Sequence, residues 1–243
     1  MLIGVKSMSI QGVDGYLVDV QVDVSNGMPN WEVVGLPDTS VRESKERVRA
    51  AIKNSDYYLP SRKIVINLAP AYTKKEGSFF DLPIAIGILY DIGIIKTSEI
   101  NDFVFIGELS LNGNLNKING ILPMCIEALK LGIKNIIIPF ENRLEAGVLN
   151  GLNIYPAKNL IDVVNHLNHH KIIPLFSTNI NSISFNNSPY QIDFSEIKGQ
   201  ESAKRALEIA AAGAHNCLLI GSPRFRKNNA FKKTSLNSPR LNF

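Results

Sequence analysis

The sequence predicts a mixed α/β fold, and three observations support this. Apolar side chains alternate with other residues over a strand-length run at Tyr16, Val18, Val20, Val22 and Val24, within a β-type segment covering residues 2–36. The following segment has helical periodicity, with its apolar residues on one face. Asn112-Gly113, between two apolar runs, is the strongest short hairpin signal in the chain. Strand and helix patterns thus alternate along one domain-sized stretch.

The first predicted helix begins at a capping box, Ser40-x-x-Glu43, and ends near Asn54. A strand from Lys63 to Ala69 and a polar loop follow it. Asp81 is then predicted to cap a strongly apolar helix that reaches Leu89.

The second half of the domain continues the alternation. The hairpin arms are predicted at residues 103–111 and from residue 114 onward, and a helix over residues 122–131 closes at Gly132. The remaining elements are a strand at 135–138, a short helix from 141, a strand at 152–155 and a helix ending at Leu167.

Composition divides the chain into four parts. Residues 1–167 form the predicted α/β domain, and residues 168–193, rich in Asn, Ser and His, have the composition of a linker with one strand near Ile183. Residues 194–223 contain a good helix former over 202–212 and a short apolar strand over 217–221. Apolar periodicity stops after Pro223, which leaves residues 224–243 as an aberrant basic tail.

The net charge of +4 comes from that tail, which carries six cations and no acid. Without the tail, the net charge of the remaining residues is about −2. The basic pI is therefore weak evidence for nucleic-acid binding by the body of the protein. Basic residues on the first helix are expected to form its solvated side, and a phosphate-contacting surface is the less favoured alternative.

No metal site, membrane span or signal peptide is expected from the sequence. Cys125 and Cys217 are isolated, and the four histidines lack metal-ligand spacing. The longest apolar runs are too short to cross a bilayer, and the first residues lead directly into strand-like sequence. We therefore expect a cytoplasmic protein.

Four motifs in order resemble the magnesium-chelatase-like family of the competence protein ComM. They are Val34-Gly35-Leu36-Pro37-Asp38 with Val41-Arg42-Glu43-Ser44, Lys75 through Pro83, Gly107 through Leu111, and Ile197 through Gln200 with Ala203 through Gly213. The resemblance implies a ribosomal-protein-S5-domain-2-like, Lon-protease-like N-terminal domain followed by an incomplete P-loop AAA+ module. Complete members of this family are implied to be cytoplasmic, ring-forming ATPases that use ATP and Mg²⁺ and act on DNA in recombination.

The likeness to Lon makes a Ser–Lys peptidase the obvious rival function. Such a peptidase needs a serine hydroxyl beside a lysine amine that can take its proton. Matched to the Lon pattern, the serine position holds Phe79, with Ser78 one residue off, and the lysine position holds Met124. Peptidase activity is therefore the least favoured hypothesis, and no catalytic residue is predicted.

The nucleotide-binding residues are predicted to be a remnant. A phosphate loop requires G-x-x-x-x-G-K-[ST] after a strand, and Gly221, Ser222 and Pro223 begin one, with Lys227 at the lysine position. Arg226 replaces the second glycine, and Asn228 replaces the hydroxyl residue that holds Mg²⁺. The loop is therefore predicted not to function, and the chain is predicted to use no cofactor in this form.

The genetic code suggests an origin for the change. If one extra base had entered after the Pro223 codon, the codons of the following residues permit Gly-Ser-Gly-Lys-Thr in the neighbouring reading frame. That sequence would complete the phosphate loop. Our hypothesis is a frameshifted gene or a sequencing error, and a naturally short protein with a basic tail is the alternative.

Two functions of different kinds remain open at this point. The chain could be a truncated ComM-type ATPase without ATPase activity, in which case it is not an enzyme. It could also be a binding module for nucleic acid or protein partners, with DNA and a homo-oligomer suggested by the complete relatives.

Overall fold

The alternating segment at the start of the chain forms three strands of one sheet. They are β1 (Ile3–Gln11), β2 (Asp14–Ser25) and β3 (Asn30–Val34). Val18, Val20 and Val22 are fully buried, as the period of two predicts. The computed structural model describes residues 3–177, 199–213 and 215–218.

The sheet has seven strands in the order β3-β4-β2-β1-β5-β8-β9. The later strands are β4 (Lys63–Ala69), β5 (Phe103–Phe105), β6 (Glu108–Leu109), β7 (Leu115–Asn116), β8 (Asn135–Pro139) and β9 (Asn153–Ala157). β2 is antiparallel to β1 and β4, whereas β3 with β4 and the run β1-β5-β8-β9 pair in parallel. Strands β6 and β7 form a separate two-stranded hairpin. The mixed α/β prediction is confirmed.

Five helices cover the two faces of the sheet. They are α1 (Thr39–Asn54), α2 (Asp81–Asp91), α3 (Ile121–Lys130), α4 (Arg143–Ala146) and α5 (Leu160–Leu167). One core joins α1, α2 and α5 to the face of β1 that carries Val5, and a second joins α3 and α4 to the face that carries Met8. Cys125 of α3 lies in this second core, where burial raises the pKa of its thiol to about 12.

Helix α2 is apolar on every side and lies in the middle of the first core. All of its residues from Asp81 to Leu89 are buried. Each fully buried Leu or Ile side chain contributes roughly 1.5–3 kcal/mol, so α2 is a major source of the stability of this face.

Two predicted helix starts are wrong. Asp38, in an extended conformation, caps α1 by accepting a hydrogen bond from the Val41 backbone N–H at 2.8 Å, so Ser40 lies inside the helix. Asp81 is the first residue of α2 and makes no capping bond, because its carboxylate is engaged elsewhere.

The predicted hairpin is present but short. Gly113, with φ of 84°, donates its N–H to the Ser110 carbonyl at 2.9 Å in the turn between β6 and β7. Residues 103–105, predicted as part of one hairpin arm, instead form β5 in the main sheet.

Packing of the first domain continues past its predicted end at residue 167. Ile173 is buried, and its N–H donates to His166 Nδ1 at 3.1 Å. Phe176 donates its N–H to the Ile154 carbonyl at 2.9 Å. The first segment of the predicted linker therefore covers the sheet beside β9, and the chain divides into the units Met1–Ser182 and Ile183–Phe243.

The second unit is described through its helix α6 (Glu201–Ala212), close to the prediction of 202–212. Residues 215–218 have no regular secondary structure, and the rest of the predicted strand at 217–221 lies outside the described residues, as does the strand proposed near Ile183. Among the residues described, none of the helices is long and apolar enough to cross a membrane.

Candidate functional site

Three of the four motifs meet at one place, which we call the motif junction: residues 36–38, 75–81 and 107–109. The end of β3 leads into it, and Gly35 there has φ of 96°. A Cβ on Gly35 would collide with the Leu68 carbonyl, so this position requires glycine. Lys75 then pairs with this segment, donating its N–H to Leu36 O at 3.1 Å and accepting from Asp38 N at 3.0 Å.

The third motif joins the junction through backbone hydrogen bonds around the start of α2. The Leu82 N–H donates to the Gly107 carbonyl at 3.0 Å, and the Gly107 N–H donates to the Phe79 carbonyl at 2.9 Å. The Leu109 N–H donates to Asp81 Oδ2 at 3.2 Å. Segments far apart in the sequence thus form one rigid corner of the domain.

A buried ion pair lies at the centre of the motif junction. Arg47 of α1 donates from Nε and Nη2 to the two carboxylate oxygens of Asp81, at 2.7 and 3.0 Å. Arg47 also donates to the Ser40 carbonyl at 3.0 Å. The Asp81 side chain is fully buried and that of Arg47 is 22% exposed. The arginine fork ties α1 to α2 in one geometry.

Burial and pairing act in opposite directions on Asp81. Burial raises the pKa of its carboxyl and the hydrogen bonds and charge of Arg47 lower it, with a net pKa of about 6. The carboxylate hydrogen bond raises the pKa of Arg47. Both groups are therefore charged at neutral pH, and Asp81 takes up a proton under mildly acidic conditions.

Ser78 and Glu108 lie beside this pair. The Ser78 hydroxyl donates to Glu108 Oε2, and Asn116 donates its amide N–H to Glu108 Oε1 at 2.9 Å. A carboxylate is a much weaker base than the amine of a Ser–Lys dyad. This contact orients the loop and does not make Ser78 a nucleophile.

Lys75, in the same loop, also has a structural role. Lys75 is fully buried, and its ammonium donates to the Pro70 carbonyl and, at 2.8 Å, to the Thr73 carbonyl. Burial lowers the pKa of this amine. The ammonium therefore fastens the loop 70–75.

Packed apolar side chains occupy the two positions of the peptidase dyad. Phe79 is half-buried, its ring centroid lies 4.9 Å from that of Phe80, and it contacts both cores. Met124 is fully buried in the second core. Neither side chain can take part in proton transfer, so the motif junction is an anchoring structure without dyad chemistry.

The predicted nucleotide-binding residues Gly221, Ser222, Pro223 and Lys227 lie outside the described residues. Sequence reasoning missed the Arg47–Asp81 pair, because Asp81 also fits the pattern of a helix cap. A signal was present in the acid that directly precedes a wholly apolar helix, since a charge so placed is buried and requires a partner.

Comparison with known proteins agrees with this fold and its motifs. The protein-family model for subunit ChlI of Mg-chelatase matches residues 20–142, and that for magnesium chelatase, subunit ChlI, matches residues 193–235. The second match extends past residue 223, into the segment predicted to be an aberrant tail. The archaeal Lon protease of Methanocaldococcus jannaschii is 27% identical over 46% of this chain and 17% of its own length.

The first unit is therefore a Lon-like, S5-like α/β domain. The chain belongs to the magnesium-chelatase-like family. The competence protein ComM of Haemophilus influenzae is 41% identical over 90% of this chain, and the uncharacterized protein YifB of Escherichia coli K12 is 40% identical over the same share. The chain spans 43% and 42% of the lengths of these two relatives.

Proposed function

We propose that this chain is a ComM-type member of the family without ATPase activity. The observation that supports this is the residue set after Gly221. Arg226 stands where the backbone must wrap a phosphate without a side chain, and Asn228 stands where a hydroxyl would hold Mg²⁺. Lys227 alone supplies a charge and cannot replace the row of backbone N–H donors that binds the phosphates.

The test is titration of the full chain with a fluorescent ATP analogue in the presence of Mg²⁺. No saturable binding is expected for the natural sequence. A matched variant, Arg224→Gly/Phe225→Ser/Arg226→Gly/Asn228→Thr, restores the loop pattern around Lys227 and shows whether the loop is the only defect. The proposal would be overturned if the natural sequence bound ATP saturably and the variant Lys227→Ala abolished that binding.

The frameshift hypothesis gives this loss a cause and has its own test. Resequencing the DNA around codon 224 should reveal ATPase-like sequence in the adjacent frame, beginning with Gly-Ser-Gly-Lys-Thr. Without such sequence the chain is a naturally altered protein, and the frameshift hypothesis fails while the predicted lack of ATP binding stands.

The second candidate function is a binding module carried by the first unit, acting in the cytoplasm on nucleic acid. It is favoured by the cations on one side of α1, Arg42, Lys45, Arg49 and Lys53. Among the described residues, none of them forms an ion pair. Gel-shift binding to single-stranded and branched DNA tests it, and absence of binding at low salt would eliminate it.

A further inference from the structure

A small cleft lies beside the edge strand of the sheet, away from the motif junction. Its volume is about 170 Å³, and it is formed by the start of β3, the middle of α1 and the segment leading into β4. Lys45 and Arg49 of α1 line it, as do Arg62 and the ring of Trp31. Cations from two separate elements thus converge on one concave surface.

These cations have no acidic partners within the part of the chain that the structure describes. Lys45, Arg49 and Arg62 form no ion pair there, although Glu46 lies beside them on α1 and Glu32 is exposed on β3. Cations that merely form the solvated side of a helix each extend separately into water. Here Arg62 from another element faces the same cleft, so the site concentrates positive potential.

The size of the cleft limits its ligand. Pockets that enclose whole small molecules begin at about 300 Å³, so this one is too small for a nucleotide and suits a single phosphate group with its water. The cations also continue outside the cleft, from Arg42 to Lys53 along α1, over about 16 Å of helix. A row of this length beside a phosphate-sized cleft fits a polymer of phosphates better than a free anion.

We infer that this cleft binds one phosphate of a nucleic-acid backbone through Lys45, Arg49 and Arg62, with neighbouring phosphates along Arg42 and Lys53. The inference rests on the proposed binding function of the first unit and names its site. Contacts of this kind position a strand without reading its sequence. The expected Kd is therefore about 10⁻⁴–10⁻⁶ M near physiological salt, and it rises steeply with salt concentration.

Trp31 provides a local readout, because it is the only tryptophan in the chain. The full chain is titrated with a short oligothymidylate, with a duplex of the same length and with polyglutamate, while Trp31 fluorescence and oligonucleotide anisotropy are followed together. A saturable Trp31 response to one or both nucleic acids, absent with polyglutamate, is expected. An equal response to polyglutamate would mean that the cleft binds acidic chains in general and would overturn the inference.

A charge-matched pair of variants separates the cleft from the basic residues 224–243. Arg49→Ala/Arg62→Ala removes two exposed cations at the cleft, and Lys117→Ala/Lys134→Ala removes two exposed lysines elsewhere. The cleft variant should weaken the affinity detected by Trp31 fluorescence about tenfold. The slope of the logarithm of affinity against the logarithm of salt concentration should become shallower by about 1 for each cation lost. The control variant should leave both close to those of the natural chain.

A third variant, Arg49→Lys/Arg62→Lys, retains the charge and should retain most of the binding, and circular dichroism verifies the fold of each protein. If the anisotropy shows binding that the cleft variant does not change, the nucleic acid binds elsewhere, and the inference fails while a binding function stands. If no nucleic acid binds to the natural chain, both fail.

Discussion

Two ion pairs of equal length show how burial determines the contribution of a single contact to stability. Arg47–Asp81 and Lys74–Glu76 both have nitrogen–oxygen distances of 2.7 Å. Asp81 is fully buried, whereas the side chains of Lys74 and Glu76 are about two-thirds exposed. Water and salt screen the second pair, whereas removal of Arg47 would leave a buried carboxyl without its hydrogen-bond donors.

Arg47→Ala is therefore expected to lower the free energy of unfolding by about 3 kcal/mol, because it leaves the buried Asp81 carboxyl without the partner that satisfies both of its oxygens. Lys74→Ala is the matched control and should leave the free energy of unfolding unchanged within error. Urea unfolding at neutral pH measures both, and equal losses in the two variants would contradict this account.

The raised pKa of Asp81 predicts a specific pH dependence. Its folded-state pKa of about 6 exceeds the ordinary value of 3.8, so the folded protein binds the proton more tightly than the unfolded chain. The resulting stabilisation is complete below about pH 4 and disappears as the pH rises through about 6, a change of up to roughly 3 kcal/mol.

The measurement is the difference in free energy of unfolding between the natural chain and Asp81→Asn, across that pH range. Other carboxyl groups cancel in this difference. It should be most favourable to the natural chain near pH 4 and decline toward pH 7, and a difference that increases with pH would reverse the assigned direction.

At the scale of elements, local patterns predicted where the helices lie, but they did not predict which residues cap the helix starts. The bounds of β4 and the end of α1 agree with the prediction, because periodicity and turn residues are local properties. Ser40 and Asp38 are both suitable caps, and the choice between them depends on the extended backbone at Asp38 and its contact with Lys75, which the local sequence does not contain. β5 was missed as a separate strand because its partners, β1 and β8, are distant in the sequence.

The cap assignment can be tested with two alanine variants. Asp38→Ala removes the acceptor of the Val41 N–H and should cost about 1 kcal/mol of stability. Ser40→Ala alters a helical position without a capping role and should be neutral or slightly stabilising. Urea denaturation curves compare them, and a larger loss for Ser40→Ala would restore the capping box predicted from the sequence.

At the scale of the whole molecule, the sequence predicted the fold class. It did not predict the convergence of cations at the cleft, because Arg62 and the α1 residues are brought together only by the pairing of β3 with β4. Polar composition after residue 167 suggested a linker, although Ile173 and Phe176 pack onto the domain.

This packing predicts different stabilities for two shortened chains. A fragment of residues 1–182 keeps the contacts of Ile173 and Phe176 described above and should unfold at the same temperature as the first unit of the full chain. A fragment of residues 1–167 loses them, exposes the core beneath Ile173 and should be less stable by roughly 2 kcal/mol. Thermal unfolding followed by circular dichroism compares the two, and identical transitions would show that residues 168–182 add no stability.

The central position of β1 has a consequence for synthesis of the protein on the ribosome. β1 pairs at once with β2 through a tight turn, but its other neighbour is β5, with Lys6 opposite Val104. About a hundred residues must therefore be translated before the second edge of β1 is covered, and until then its backbone groups are free to pair with another extended chain. A nascent chain that stalls before Phe103 carries an open strand edge, and an association of unfinished chains would begin there.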